Sequence, residues 1–475
     1  MNLRGVLRVL SLLLLVVASA QLIPLLVSLA LDEGDATLGF ALGSGATLAV
    51  SVLCRLVGGE VEHLFRREGV LIVVSAWVLA SISGAIPYVA SGAIPHFVDA
   101  LFESASGFTT TGSSILTDIP ALGHSMLFWR SMTQWLGGIG IVVLFVALLS
   151  ELGPGARFLF KLEVPGPAAE VLHPRVNETA VTLAWVYIGL SGLQVAALLV
   201  CGLSLYDAFT HMFSTVSTGG FSPYPDSIAH FPPVVQAVVT VFMLAAGANF
   251  SLYYVAVRDR SFRPFRDPEL RTYLLVVAVT IVFIMLDLGV GTESFLDAAF
   301  QVVSIVTTTG FATQDFVGWP VVSQACLVAL MVVGGCAGST AGGVKVVRLQ
   351  VALRAAFRDV RLIFHPSRVA AISQGHQPVG EDAVRTILSF LVLYGLCWGI
   401  GALLLCVGEP DLETATTAAI ASLSNVGPGL SVIGPTGDYH VFAAWQKLLM
   451  VGLMWLGRLE LFVVLALLQP SFWRR

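Results

Sequence analysis

Hydrophobic residues fall into ten long stretches, roughly 8–31, 37–57, 69–90, 124–151, 180–203, 232–257, 271–290, 320–353, 384–408 and 440–469, separated by polar or charged residues. A helix needs about 20 apolar residues to cross a hydrocarbon layer. The pattern therefore predicts ten membrane-crossing helices and an all-α polytopic membrane protein. Four further apolar segments, near 98–110, 207–218, 297–308 and 413–424, are too short to cross and too apolar for surface loops. They read as re-entrant helices.

These short segments repeat one pattern. Each opens on an acid or a hydroxyl, runs for about three helical turns and closes on small residues and a glycine. The copies are Asp99 through Thr109-Thr110-Thr111-Gly112, Asp207 through Ser217-Thr218-Gly219-Gly220, Asp297 through Thr307-Thr308-Thr309-Gly310, and Thr414 through Ser424-Asn425-Val426-Gly427. Lead residue and final glycine are thirteen positions apart in every copy. The expected architecture is four helix, pore-loop and helix repeats around one pore, plus two extra N-terminal transmembrane helices. Residues 1–66 hold those two helices, and repeats one to four occupy 67–155, 156–262, 263–355 (with a broken second helix) and 356–475.

Composition agrees with a membrane protein. The 475 residues are 56% hydrophobic and 12% charged, where a soluble domain carries about 25% charged residues. Cys54, Cys201, Cys326, Cys336, Cys397 and Cys406 form no CxxC pair and lie in or beside apolar segments, which argues against a disulfide framework or a zinc site. Ala18-Ser19-Ala20 resembles a signal-peptidase site. The apolar run continues to Leu31, however, so a retained first helix is expected.

Charge tests the layout independently. Of 25 Lys and Arg residues, all but Arg130, Lys447 and Arg458 fall in or flanking segments that alternate onto one side, Lys345 among them. The opposite loops carry Asp32, Glu33, Asp35, Asp226, Asp315 and Asp438. By the positive-inside rule both termini are cytoplasmic and the short segments enter from outside. The basic loops are too short for a nucleotide-binding domain. Arg130 and Lys447 are assigned only snorkelling or helix contacts.

A cation in a bilayer needs oxygen ligands in place of its water, and rings of backbone carbonyls supply them in potassium-selective filters. Turning several carbonyls toward one axis demands backbone that a side chain obstructs, which glycine allows. Asp99, Asp207 and Asp297 suit the N-cap of their helices, whose C-terminal ends then present partial negative charge to the axis. Non-helical backbone at this depth also needs burial in protein or a water-filled cavity, and a pore provides it.

The segment order, the Thr-Thr-Thr-Gly copies, the Ser-Asn-Val-Gly-Pro fourth copy and the Gly-Arg-Leu-Glu near the C-terminus resemble the TrkH branch of the Trk/Ktr/HKT potassium transporter superfamily over nearly the whole chain. The resemblance implies potassium uptake across a bacterial inner membrane, a homodimer with one pore per protomer, and a cytosolic TrkA-like subunit carrying nucleotide-binding domains. It makes potassium the transported ion, with no organic cofactor and no nucleic acid. The filter glycines it implies are Gly112, Gly220, Gly310 and Gly427, with Thr110, Thr111, Thr218, Gly219, Thr308, Thr309, Asn425 and Val426 beside them. Gly220 is chosen over Gly219 because it keeps the thirteen-residue spacing and the Gly-Phe ending of Gly310-Phe311. Gly112 favours potassium, since a serine there accompanies sodium preference in the plant relatives. The fourth copy lacks the threonines.

Two features lie below this filter. The eighth span contains Gly334-Gly335-Cys336-Ala337-Gly338-Ser339-Thr340-Ala341-Gly342-Gly343, five glycines that each cost a helix about 1 kcal/mol against alanine. Gly334, Gly338 and Gly342 alone would fit a helix-packing stripe. The paired Gly335 and Gly343, with Ser339 and Thr340, exceed what packing requires and, with the resemblance, point to an unwound gate. It is not a phosphate loop, because Gly343 is followed by Val344, Lys345 and Val346 instead of Lys and a hydroxyl residue. Arg458 sits in the last span, where a central arginine costs about 2.5–3.5 kcal/mol on insertion scales. It is expected to face the pore near the glycine loop, with Glu460 as its partner. The basic segment from Arg354 to Arg385 suits anionic lipid headgroups or a docking subunit.

Two other function classes were weighed. An alternating-access secondary transporter would show two related halves and intramembrane acids for coupling. The repeats here are fourfold, and Glu103 is a poor proton relay. An intramembrane enzyme is disfavoured, because no HExxH, GxSxG or membrane-embedded pair of aspartates appears.

Overall fold

The computed structural model describes residues 1–59, 65–140, 176–365, 371–374, 377–408 and 411–474. The end of the expected span 124–151, the bases Arg157, Lys161, Arg175 and Arg368, and Arg475 lie outside the described residues. Among the described residues the chain is helical, apart from a two-residue hairpin pairing Ser373–Gln374 with Gln377–Pro378.

Among the described residues six helices are long and apolar enough to cross a membrane: α1 (Leu3–Ala30), α2 (Gly34–Val57), α3 (Arg66–Ala90), α6 (Val176–Val200), α10 (Pro268–Leu288) and α14 (Glu381–Leu405). The first two form a hairpin against α3, with Phe40, Trp77 and Tyr88 fully buried between them and the rest of the core. Local chemistry sets several ends. Asp267 caps α10 by accepting from Glu269 N and Leu270 N, with Pro268 at the first helical position. Arg260, in the left-handed region at φ 46°, ends the helix before it.

The four short helices are α4 (Phe97–Phe108), α7 (Leu205–Val216), α11 (Thr292–Val306) and α15 (Leu412–Ser424). Each packs between longer helices and ends in buried residues. One expectation about them fails. Asp99 and Asp207 are not N-caps but lie in the first turn, behind His96 and Ser204, and Asp297 lies deeper, behind Gly291. An acid in the first turn still complements the positive end of the helix dipole. The N-cap acid of the fourth copy is Asp411, whose carboxylate accepts from Glu413 N and Thr414 N.

The helix following the short helix is broken in three repeats, as expected in repeat three and where an unbroken span was expected in repeats two and four. In repeat two, α8 (Pro233–Ala246) and α9 (Phe250–Asp259) meet at 90° across Gly247-Ala248-Asn249. In repeat four, α16 (Ala444–Arg458) and α17 (Leu461–Leu467) meet at 120° across Leu459 and Glu460. In repeat three, α12 (Val321–Val333) and α13 (Val346–Phe364) are separated by the glycine-rich segment, so no helical packing stripe forms there. In repeat one, α5 (His124–Gly138) ends at the corresponding place. Backbone groups freed in an apolar interior must find partners, and two of these breaks supply each other: Cys336 N donates to Gly247 O at 2.9 Å and Phe250 N donates to Gly338 O at 3.0 Å.

Candidate functional site

All four short helices end in the same turn. The N–H groups of Thr110, Thr218, Thr308 and Asn425 donate to carbonyls three residues back, at 3.0, 3.0, 3.0 and 3.4 Å. Those of Thr111, Gly219, Thr309 and Val426 donate to carbonyls five residues back, at 2.8, 2.8, 2.8 and 2.9 Å. This is the Schellman pairing, and it requires a left-handed residue at the first position. Thr110, Thr218, Thr308 and Asn425 take φ of 56°, 56°, 55° and 55°. A β-branched residue there is strained by roughly 1–2 kcal/mol, whereas asparagine tolerates the region. The fourth copy, divergent in sequence, therefore reaches the same backbone with an easier residue.

The glycines follow two residues later with φ of 83°, 82°, 80° and 100° at Gly112, Gly220, Gly310 and Gly427. They form a closed ring. A Cβ on Gly112 would lie 2.2 Å from Gly219 O, on Gly220 1.9 Å from Thr309 O, on Gly310 2.1 Å from Val426 O, and on Gly427 2.7 Å from Thr111 O. Each glycine thus faces the carbonyl of the next copy, and the fourth copy closes on the first. Gly220, not Gly219, holds the ring position; Gly219 instead packs on Gln134.

Side chains brace the loops from behind. Thr109 Oγ1 and Thr111 Oγ1 pair at 2.7 Å, as do Thr307 Oγ1 and Thr309 Oγ1. The second copy lacks this pair. There Gln134 Nε2 donates to Gly219 O at 2.6 Å, and Phe221 N donates to Gln134 Oε1 at 3.0 Å. In the fourth, Asn425 Nδ2 donates to Thr111 Oγ1 at 2.9 Å and to Met454 O at 3.1 Å.

The ring separates two cavities. One is lined by the four glycines, Ser113, Ser222, Tyr439 and Asp438. The other is lined by Gly138, Asn425, Gly338 to Gly343, Lys345, Arg348, Arg458 and Glu460. Among the described residues no group of three or more His, Cys, Asp or Glu converges. The donors available to a cation at the ring are backbone and hydroxyl oxygens, which suit a weakly bound monovalent ion.

In this second cavity the glycine-rich segment crosses beneath the ring and touches three copies. Thr340 Oγ1 donates to Val216 O at 3.0 Å, Gly342 N to Thr308 Oγ1 at 2.6 Å, and Gly343 N to Ser424 O at 3.1 Å. Arg458 completes the set: Nη1 donates to Thr110 Oγ1 at 2.9 Å and Thr340 O at 3.0 Å, and Nη2 to Gly137 O at 2.8 Å. Charge-assisted bonds of this kind contribute about 1.5–3 kcal/mol each, which offsets the cost of an arginine at this depth. Gly334 and Gly335 lie farther out, where Val344 N donates to Val332 O and Val346 N to Gly335 O, closing the neck of the loop.

Three charge assignments change. Glu460, expected beside Arg458, forms its ion pair with Arg348 at 2.6 Å. Lys345, grouped by sequence with the loop charges, is buried and donates through Nζ to Ala341 O. The third narrows: of snorkelling or helix contacts, Arg130 and Lys447 make helix contacts, both buried and paired with Glu103 at 2.6 Å and with Asp99 at 2.7 Å. Periodicity placed these residues in spans, but which helix faces them is a tertiary fact.

Sequence reasoning also missed Gln134 and Glu269. Glu269, buried at the start of α10, accepts from Ala337 N at 2.7 Å and Val347 N at 3.2 Å, tethering both ends of the glycine-rich segment. For Gln134 the available signal was a polar residue within an apolar run; Glu269 stands in the charged stretch ahead of its span and carried no such signal.

Comparison with known proteins gives a consistent result. A family model described as TrkH, cation transport protein, matches residues 54–474. The chain is 35% identical to the Trk system potassium uptake protein TrkH of Salmonella typhimurium and 36% identical to that of Halomonas elongata, covering 100% of both partners in each alignment. The crystal structure of the potassium transporter TrkH from Vibrio parahaemolyticus superposes with a TM-score of 0.89 at 32% identity, over 100% of each chain.

Proposed function

The chain belongs to the TrkH family of cation transport proteins, and from this premise we propose that it takes up potassium across a bacterial inner membrane through the glycine ring. The observation that carries the reading is the ring itself: four glycines with left-handed φ, each facing a carbonyl of the next copy. A filter of this kind replaces the water around a dehydrated ion with fixed oxygens. Thr110, Thr111, Gly112, Thr218, Gly219, Gly220, Thr308, Thr309, Gly310, Asn425, Val426 and Gly427 are its residues. The C-terminal ends of four helix dipoles, aimed at the ring, add favourable potential for a cation.

The gate is the segment from Gly334 to Gly343 together with Arg458. Its contacts to all four copies support a shut pathway in this conformation, and the Arg458 charge opposes a cation entering from the ring. Opening requires the segment to leave Thr308 and Ser424 while Glu269 retains its base.

Both termini are cytoplasmic, the division at 67, 156, 263 and 356 marks the four repeats, and two copies associate, each with its own pore. The basic segment from Arg354 to Arg385 meets lipid headgroups or a cytosolic TrkA-like nucleotide-binding subunit. The relatives are named as members of a Trk system, which supports a multi-component assembly.

Reconstitution of the purified protein in liposomes, with and without the cytosolic subunit, tests this reading by potassium, rubidium and sodium flux. Channel-like currents that the subunit modulates are the expected result. Saturating transport in fixed stoichiometry with a second cation would replace the pore by an alternating-access mechanism.

A further inference from the structure

We propose that Glu103 and Arg130 set the ion preference of the pathway by locking the first strand of the ring to the second. The proposal rests on the filter reading above and assigns positioning roles, since neither residue belongs to the ring; Arg130 borders the outer cavity beside Ser222, and Glu103 lies behind it. Glu103 lies in the middle of the first short helix with its side chain 0% exposed, and Arg130 on α5 is 3% exposed. The carboxylate accepts from Arg130 Nε at 2.6 Å, Ser114 Oγ at 3.0 Å and Ile115 N at 3.0 Å. The guanidinium then reaches across: Nη1 donates to Ser222 O at 3.0 Å, and its carbon lies 3.6 Å from the centre of the Phe221 ring.

The connection spans equivalent points. Ser114 and Ser222 each follow their ring glycine by two residues, and Phe221 directly follows Gly220. One bonded path therefore runs from the chain after Gly112, through two buried charges, to the chain after Gly220. At Glu103's position in the other copies stand His211, Gln301 and Ala418. His211 Nε2 reaches Ser222 Oγ at 3.3 Å, and Gln301 Nε2 donates to Gln314 O at 3.1 Å. Both contacts stay within their own copy.

A purely cohesive role explains this pair poorly. Burying two charges is rarely more stabilising than burying apolar residues of the same volume, and Gln301 braces the third copy without charge. What the pair adds is direction. Arginine offers separate nitrogens in a rigid fork, so the carboxylate and Ser222 O are held at fixed separation on either side of it. Discrimination between cations depends on cavity size or on the number and field strength of the coordinating carbonyls, and a shift of one ring strand against the next alters both.

The test is the potassium-to-sodium flux ratio of the full-length protein in liposomes. Arg130→Lys keeps the charge but cannot serve both partners, and its ratio should fall about tenfold, the scale of a small misfit in a recognition site. Glu103→Gln should act in the same direction. Removing one partner leaves a buried charge that can prevent folding, so two other variants carry the test in that event. Phe221→Leu leaves the ion pair intact, and the double variant Glu103→Gln with Arg130→Gln leaves no unpaired charge; both should lower the ratio. Unchanged ratios in these two monodisperse, transporting variants would overturn the proposal. Gly112→Ser in the same assay separates the readings: if it lowers the ratio while the pair variants do not, only the pair's role fails. If Gly112→Ser also has no effect, the filter assignment fails first.

Discussion

Arg458 holds Thr110 by a 2.9 Å bond from its guanidinium to the threonine hydroxyl, at the base of the first strand of the ring. The same nitrogen donates to Thr340 O, so the glycine-rich segment and the ring meet at one positive charge. Arg458→Ala should therefore raise basal flux. A tenfold rise corresponds to lowering a barrier by about 1.4 kcal/mol, a modest demand for removing a charge from an apolar pathway. Arg458→Lys, which keeps charge but loses the fork, should fall between alanine and wild type. Radiolabelled rubidium uptake into proteoliposomes measures both, and unchanged flux with unchanged regulation by the cytosolic subunit would sink the gate role.

The glycine-rich segment fits beneath the ring only because Gly342 has no side chain. A Cβ there would lie 2.1 Å from Ser424 O and 3.1 Å from Ser424 C. Gly342→Ala should displace the segment from the fourth copy and break the bond from Gly342 N to Thr308 Oγ1. The expected result is higher basal flux with selectivity retained, since the ring itself is untouched. Glu269→Gln acts from the other end by weakening the tether on Ala337 N and Val347 N, and it should also raise basal flux, to a smaller degree. Flux and potassium-to-sodium ratio measured together check this, and a changed ratio would show that the segment shapes the ring as well.

The fourfold plan was legible in the sequence because a thirteen-residue spacing and four small-residue endings survive as local pattern. Gly220 could be preferred to Gly219 on the spacing and the shared Gly-Phe ending, and it takes a φ of 82° like the other ring glycines. The broken spans were legible only where glycines were dense, at 334–343. The break at Leu459 and Glu460 carries no glycine or proline at the bend, and Glu460 takes a φ of 55° with its carboxylate held by Arg348. The partner of that carboxylate lies 112 positions away, beyond any local reading. The same holds for the braces: Gln134 on Gly219, Lys447 on Asp99 and Arg130 on Glu103 are polar residues in apolar runs whose partners are set by helix packing. Even the N-caps slipped, because the three leading residues so prominent in the spacing lie inside their helices, Asp99 and Asp207 in the first turn and Asp297 beyond it.

Side chains on the ring should have graded effects. Gly112→Ser places a Cβ 2.2 Å from Gly219 O, and one strand must move outward. Potassium flux should fall and the sodium share should rise, as competing cation flux will measure. Gly310→Ala is more severe, because its Cβ meets Val426 O at 2.1 Å and Pro428 Cδ at 2.7 Å, and the proline ring cannot swing away. That variant should fold and lose most potassium flux. Retained wild-type flux would contradict the ring as the ion path.

Asn425 and Thr218 occupy the same left-handed position but depend differently on their side chains. Thr218 Oγ1 donates to Ser217 O in its own turn, whereas Asn425 Nδ2 bridges Thr111 Oγ1 and Met454 O. Thr218→Asn relieves a strained β-branched residue and should leave flux and thermal stability near wild type. Asn425→Thr introduces that strain and removes the bridge between Thr111 Oγ1 and Met454 O, while Thr111 keeps only its pair with Thr109. Its unfolding midpoint in detergent should drop, and its potassium-to-sodium ratio should fall because the fourth copy no longer braces Thr111. Equal behaviour of the two variants would mean that the fourth copy contributes only its backbone to the ring.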